Sequence, residues 1–169
     1  MKGSLLFAIA MSITGVGITA AFSAAVESQP ENASPIYGVT LPEGYRDWKF
    51  IAAAQEAPPL DELRAVLAND IAADAYKKGT LPFPDGSVLV KLAYKRQQST
   101  EFPPATVPGA PTTVQVMVKD SKKYPESHGW GFGRFVNGKP VDVAQHETCL
   151  SYHVGNVKDH DYVFTRYAH

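Results

Sequence analysis

The residues best equipped for chemistry stand in one run, His146-Glu147-Thr148-Cys149-Leu150-Ser151-Tyr152-His153, which holds the chain's only cysteine and two of its five histidines. A thiol four residues before an imidazole is the outer frame of C-x-x-C-H, in which two thiols add to the vinyl groups of haem and the histidine binds iron. Tyr152 stands where the second thiol belongs. On a helix Cys149 and His153 share a face, so one thioether and one axial ligand remain within geometric reach. His146, Cys149 and His153, at i, i+3 and i+7, form an alternative set of two imidazoles and a thiolate suited to zinc or copper. His128, His160 and His169 stand in loop-like or terminal surroundings and read as surface residues.

A chain of 169 residues with 44% hydrophobic and 20% charged residues has the composition of one globular domain. Its formal net charge of −1 and the lack of a basic stripe argue against a nucleic-acid partner. Met1-Lys2-Gly3 precedes a charge-free run from Ser4 to Val26 that passes through Ser23-Ala24-Ala25. This is the pattern of a signal peptide over 1–25. An uncleaved anchor is the competing reading, but Ser12, Thr14, Gly15, Gly17 and Thr19 dilute the run and favour removal. The expected mature protein is periplasmic or secreted and keeps no stable membrane span. Oxidising compartments usually hold cysteines in pairs, and Cys149 has no partner in the chain. A buried thiol, an intermolecular disulfide and attachment to a cofactor are the three readings of it.

The elements that must position the run follow from patterning. Residues 26–44, rich in Pro, Ser, Asn and Gly, read as a linker or loosely laid arm, ahead of a domain over 45–169. Trp48 to Ala54 reads as a first strand with Trp48, Phe50 and Ala52 on its packing face. After Pro58-Pro59, the acids Asp61-Glu62 and the spacing of Leu63, Val66, Leu67, Ile71 and Ala75 predict one amphipathic helix that stops at Gly79. Asn69-Asp70 in its middle marks a point where it could break. Pro82 to Gly86 is turn chemistry. Ser87 to Arg96 then alternates as a strand, with Val88, Val90, Leu92 and Tyr94 on one side and Leu89, Lys91 and Ala93 on the other. Lys91 there reads first as a solvent-facing lysine of a half-exposed sheet. Residues 97–111, with four prolines, predict a long surface loop. Strands follow over Thr112–Lys119 and Trp130–Val136, and Asn137-Gly138 is a turn. The glycines of the latter strand admit a close backbone or a flat ligand. A short helix over the haem-like run and a last strand or packing tail over 161–167 complete an α+β, β-dominant fold, an antiparallel sheet with one main amphipathic helix.

Several of these stretches resemble one family together. Asn69-Asp70-Ile71-Ala72 with Ala75-Tyr76, Phe83-Pro84-Asp85-Gly86-Ser87 with Val90-Lys91-Leu92, Val116-Met117-Val118-Lys119-Asp120, Gly129-Trp130-Gly131-Phe132-Gly133 and Asp161-Tyr162-Val163-Phe164-Thr165 are similar to the cytochrome P460 family. The resemblance implies an exported c-type haem protein of largely antiparallel sheet, often a homodimer. Its members oxidise hydroxylamine or bind small diatomic gases. It further implies that Cys149 is the covalent haem residue and His153 the axial ligand, so that the haem c would hang from a single attachment. A sheet lysine cross-linked to the haem edge in the enzyme members corresponds best to Lys91, with Lys95 close by. Redox chemistry would draw on a small nitrogen-containing ligand or substrate and an electron-transfer protein. The opposed reading is a haem-free binding or interaction module of the same fold, because the tyrosine removes one of the two attachment thiols.

Overall fold

The computed structural model describes residues 30–168, so the signal-peptide expectation over 1–25 and His169 lie outside the described residues. A single six-stranded antiparallel meander dominates it, in the order β1-β2-β3-β4-β5-β6. The strands are β1 (Lys49–Glu56), β2 (Glu62–Ala68), β3 (Val88–Gln98), β4 (Thr106–Lys119), β5 (Trp130–Val136) and the two-residue β6 (Lys139–Pro140). Helix α1 (Asp70–Lys78) separates β2 from β3, and α2 (Val143–Val157) follows the sheet. The α+β, β-dominant expectation holds.

The sheet is covered on both faces. On one side Leu89, Phe132 and Trp130 pack with α1, Ile51 and Val163, while Leu67, Val90, Leu92, Val116 and Phe135 face the opposite cluster with Val39 and Tyr124. This double burial explains the main error of the sequence reading. The predicted helix over 61–79 is a strand, β2, followed by the shorter helix α1. Strands buried on both faces lose the simple alternation that marks a half-exposed one, so the i, i+3, i+4 spacing of Leu63, Val66 and Leu67 mimics a helix. The break falls at the Asn69-Asp70 pair. Asn69 caps α1 by accepting from Ala72 N at 3.0 Å, and Gly79 closes it in the left-handed region at φ 64°.

Three further expectations change. In β1 a bulge between Phe50 and Ala52 reverses the face, so Ile51 is buried and Phe50 exposed. The predicted loop over 97–111 shrinks to the turn between β3 and β4, and Pro108 and Pro111 lie within β4. β4 pairs with β5 only from Val114 onward, so the earlier prolines sit on a free edge, at irregularities of the β3 pairing where a missing N–H costs little. Residues 161–167 form no strand; they pack as a tail, with Val163 buried.

The N-terminal arm has no regular element before the turn at Tyr45–Asp47, as expected, but it is not loosely laid. Ser34 is fully buried; its hydroxyl donates to Phe132 O at 2.9 Å and accepts from Val39 N at 3.0 Å. A Cβ at Gly131 would lie 2.4 Å from the Tyr124 ring, and one at Gly133 would lie 3.0 Å from Val39. These glycines therefore admit the protein's own side chains from the arm side of the sheet.

Candidate functional site

Antiparallel register builds the floor of the site. One cross-strand row runs Val66, Lys91, Gln115, Arg134 across β2 to β5, and the next runs Ala68, Leu89, Met117, Phe132. The haem-like run lies on α2, whose N-terminus is capped by Asp142 accepting from Gln145 N at 2.9 Å. Helix α2 and the tail residues Val163, Phe164 and Thr165 close over this floor. Between them is a cleft with mostly apolar walls. Lys91, Cys149 and His153 all line it.

The helical geometry thus brings together the residues that the run singled out, with one exception. His146 is fully buried; its Nε2 accepts from Arg134 N at 3.1 Å and its Nδ1 donates to Asp142 O at 2.9 Å. One nitrogen ties α2 to β5 and the other is bonded to the N-cap residue of α2 itself, so His146 does not join Cys149 and His153 as a ligand set. Among the described residues no three His, Cys, Asp or Glu side chains are grouped to hold a metal.

His153 is held differently. Its Nδ1 donates to Tyr162 O at 2.6 Å, which leaves the Nε2 lone pair as its ligand. Burial lowers its pKa against the opposing effect of that bond, so the ring is neutral near pH 7. The Tyr162 carbonyl is itself fixed. Asp161 and Tyr162 both have positive φ, 47° and 63°. The Asp161 carboxylate takes Lys119 Nζ at 2.8 Å and Phe83 N at 2.8 Å, while Trp130 Nε1 donates to Asp161 O at 2.8 Å. His128 stacks on the Tyr162 ring at 4.4 Å.

Burial pushes the Cys149 thiol up, with Arg134 and Lys91 opposing, so it is a protonated thiol at neutral pH. Lys91 is not the solvent-facing lysine of the first reading. Burial pulls its amine down to about 8, Arg64 and Arg134 push the same way, and Glu62 opposes them. Lys95 instead reaches Leu60 O at 2.8 Å and is exposed. Tyr152 is 63% exposed and stacks on Phe164 at 5.2 Å between ring centroids, outside the cleft lining. The phenol therefore lies outside the cleft. Arg134 and Gln115 were not singled out by sequence. The alternation of Trp130, Phe132 and Arg134 along β5 was the available signal.

A protonated thiol, a neutral imidazole with its distal nitrogen unclaimed and mostly apolar walls suit the donor set to haem: Cys149 for a thioether, His153 for iron. No helix among the described residues is long and apolar enough to cross a membrane. A sequence comparison with curated proteins finds no match. A family profile described as Cytochrome P460 matches residues 42–165, from the end of the arm through the tail that holds His153. With most of its length matched, the chain belongs to the cytochrome P460 family, whose members carry c-type haem.

Proposed function

We propose that this chain is an exported haem protein that holds haem c by a single thioether to Cys149 and by axial coordination from His153, and that it binds or transforms a small nitrogen species. The observation carrying this reading is the convergence of Cys149 and His153 on one apolar cleft, with His153 Nδ1 committed to Tyr162 O. That bond orients the ring and increases the basicity of the remaining nitrogen. Bound haem would supply an iron centre for one-electron chemistry or coordination of a small ligand. Val66, Leu89, Met117, Phe132 and Val163 would keep water from it. Lys91 lines the same cleft, its amine pulled down to about 8 by burial. Redox turnover would call on an electron-transfer protein, and the family likeness favours a homodimer.

The second reading is a haem-free binding module, favoured by Tyr152 in place of the second thiol. Expression in a host with cytochrome c maturation separates the two. The haem reading expects a visible haem band that survives denaturation in the wild type and is lost on denaturing Cys149→Ala. Colourless protein from that host would establish the haem-free reading.

A further inference from the structure

Thioether and axial ligation use Cys149 and His153 and leave the polar end of the cleft unexplained. Lys91, Gln115 and Arg134 are directly cross-strand neighbours in one row, and all three line the cleft. Among the described residues the Lys91 ammonium has no hydrogen bond or ion pair, and the Arg134 Nε is buried with no acceptor. Buried cationic donors are normally paired, so the Arg134 Nε without an acceptor is costly as it stands, and Lys91, two strands away across Gln115, adds a second cation to the row. The nearby carboxylates are spoken for. Glu62 accepts from Arg64 Nη2 at 2.7 Å and from Thr112 Oγ1 at 2.6 Å, and Glu56 pairs with Arg64 Nη1. Arg64, Lys91 and Arg134 against Glu56 and Glu62 leave one positive charge uncompensated in this region. Gln115 adds an amide whose side-chain hydrogen bond among the described residues is a long one, 3.3 Å to Thr113 Oγ1.

We propose that the Lys91, Gln115 and Arg134 row is a subsite for one monovalent carboxylate-type oxyanion. The planar guanidinium matches the two oxygens of such a group, the ammonium supplies a second charge, and the amide a neutral donor. The carboxylate has two sources, a peripheral carboxylate of the cofactor or a free small oxyanion. Only the first rests on the haem reading.

The probes are acetate and nitrite, titrated into haem-free protein against chloride at equal ionic strength and followed by melting temperature and calorimetry. Binding to the wild type is expected, with a loss of at least about tenfold in Arg134→Leu and in Lys91→Met, and no loss in the exposed control Lys95→Met. Gln115→Glu places a carboxylate between the two cations. It is expected to raise the melting temperature and abolish the anion response. Repeating the titration on haem-loaded protein identifies the source: a response lost on loading assigns the subsite to the cofactor's carboxylate, and one retained assigns it to a free oxyanion. A silent titration of the haem-free wild type overturns the proposal, because either source leaves the row open to acetate there. A response that survives both Lys91→Met and Arg134→Leu overturns the proposal, as does a Gln115→Glu protein that melts at or below wild type. The haem-free arm keeps its meaning if the haem reading fails.

Discussion

Lys91 illustrates how far a single side chain depends on its surroundings. In the folded protein its amine titrates near 8, whereas the unfolded chain keeps the proton to about 10.5. Between those values the unfolded state binds more protons, so this residue makes stability rise with pH across that window. Below about 8 both states are charged and the folded one bears the full desolvation penalty. Lys91→Met should therefore stabilise the haem-free protein at pH 7 by about 2 kcal/mol and flatten the rise between pH 8 and 10.5. Urea unfolding of the two proteins across that range, in chloride buffer, checks both the size and the sign. Cys149, His153 and Lys91 were legible in sequence as candidates, because residue type and helical spacing are local properties. The fates of Lys91 and His146 were not. Whether a strand's second face meets water, and whether an imidazole meets a backbone N–H, depend on segments far away in the chain.

At the scale of elements, the tail after α2 matters as much as the helix that bears the ligands. It closes the cleft and presents the carbonyl that holds His153, and it is pinned by the Lys119–Asp161 pair, whose side chains are each only 8% exposed. Removing one member of a buried pair strands the other charge. Asp161→Ala is expected to cost about 3 kcal/mol in equilibrium denaturation, since Lys119 is left unpaired and Phe83 N loses its acceptor. Asp161→Asn keeps an acceptor for Phe83 N and should cost less. At the same end of the sheet, Asn69 shows how one residue decides an element boundary. Its Oδ1 accepts from Ala72 N and from Val88 N at 3.1 Å, and its Nδ2 donates to Gly86 O at 2.8 Å. It starts α1 and ties it to the entry of β3. Asn69→Ala should lose about 2 kcal/mol, more than a simple cap, measured by the same denaturation.

For the whole molecule, the meander is a sequence of neighbouring antiparallel pairs, and its two faces divide the labour. One face carries the cleft, and the other is covered by the arm through Val39 and Tyr37 and by Tyr124. Ser34 fastens that cover. Ser34→Ala leaves Phe132 O and Val39 N without their buried hydroxyl partner and should cost about 2 kcal/mol. Limited proteolysis should then cut within residues 30–41 at a protease dose that spares the wild type. The bond ends on Phe132, whose ring lies 5.0 Å from that of His153, so the arm is coupled through β5 to the cleft.

By itself the sequence determined the reactive pair on one helical face, the turns at Gly79 and Asn137-Gly138, the strand Trp130–Val136 and the likeness to one family, because each is written in spacing, in special backbone residues or in ordered motifs. Tertiary structure alone decided that 62–68 is a strand, that Pro108 and Pro111 lie within one, and that the arm is part of the core. It alone turned Lys91 inward, set Arg134 in the same row across Gln115 and tied up both nitrogens of His146. The physical reason is common to all of these. Burial on both faces of a sheet, the pairing of edges and the meeting of buried charges are set by residues distant in the chain, and no local pattern records them.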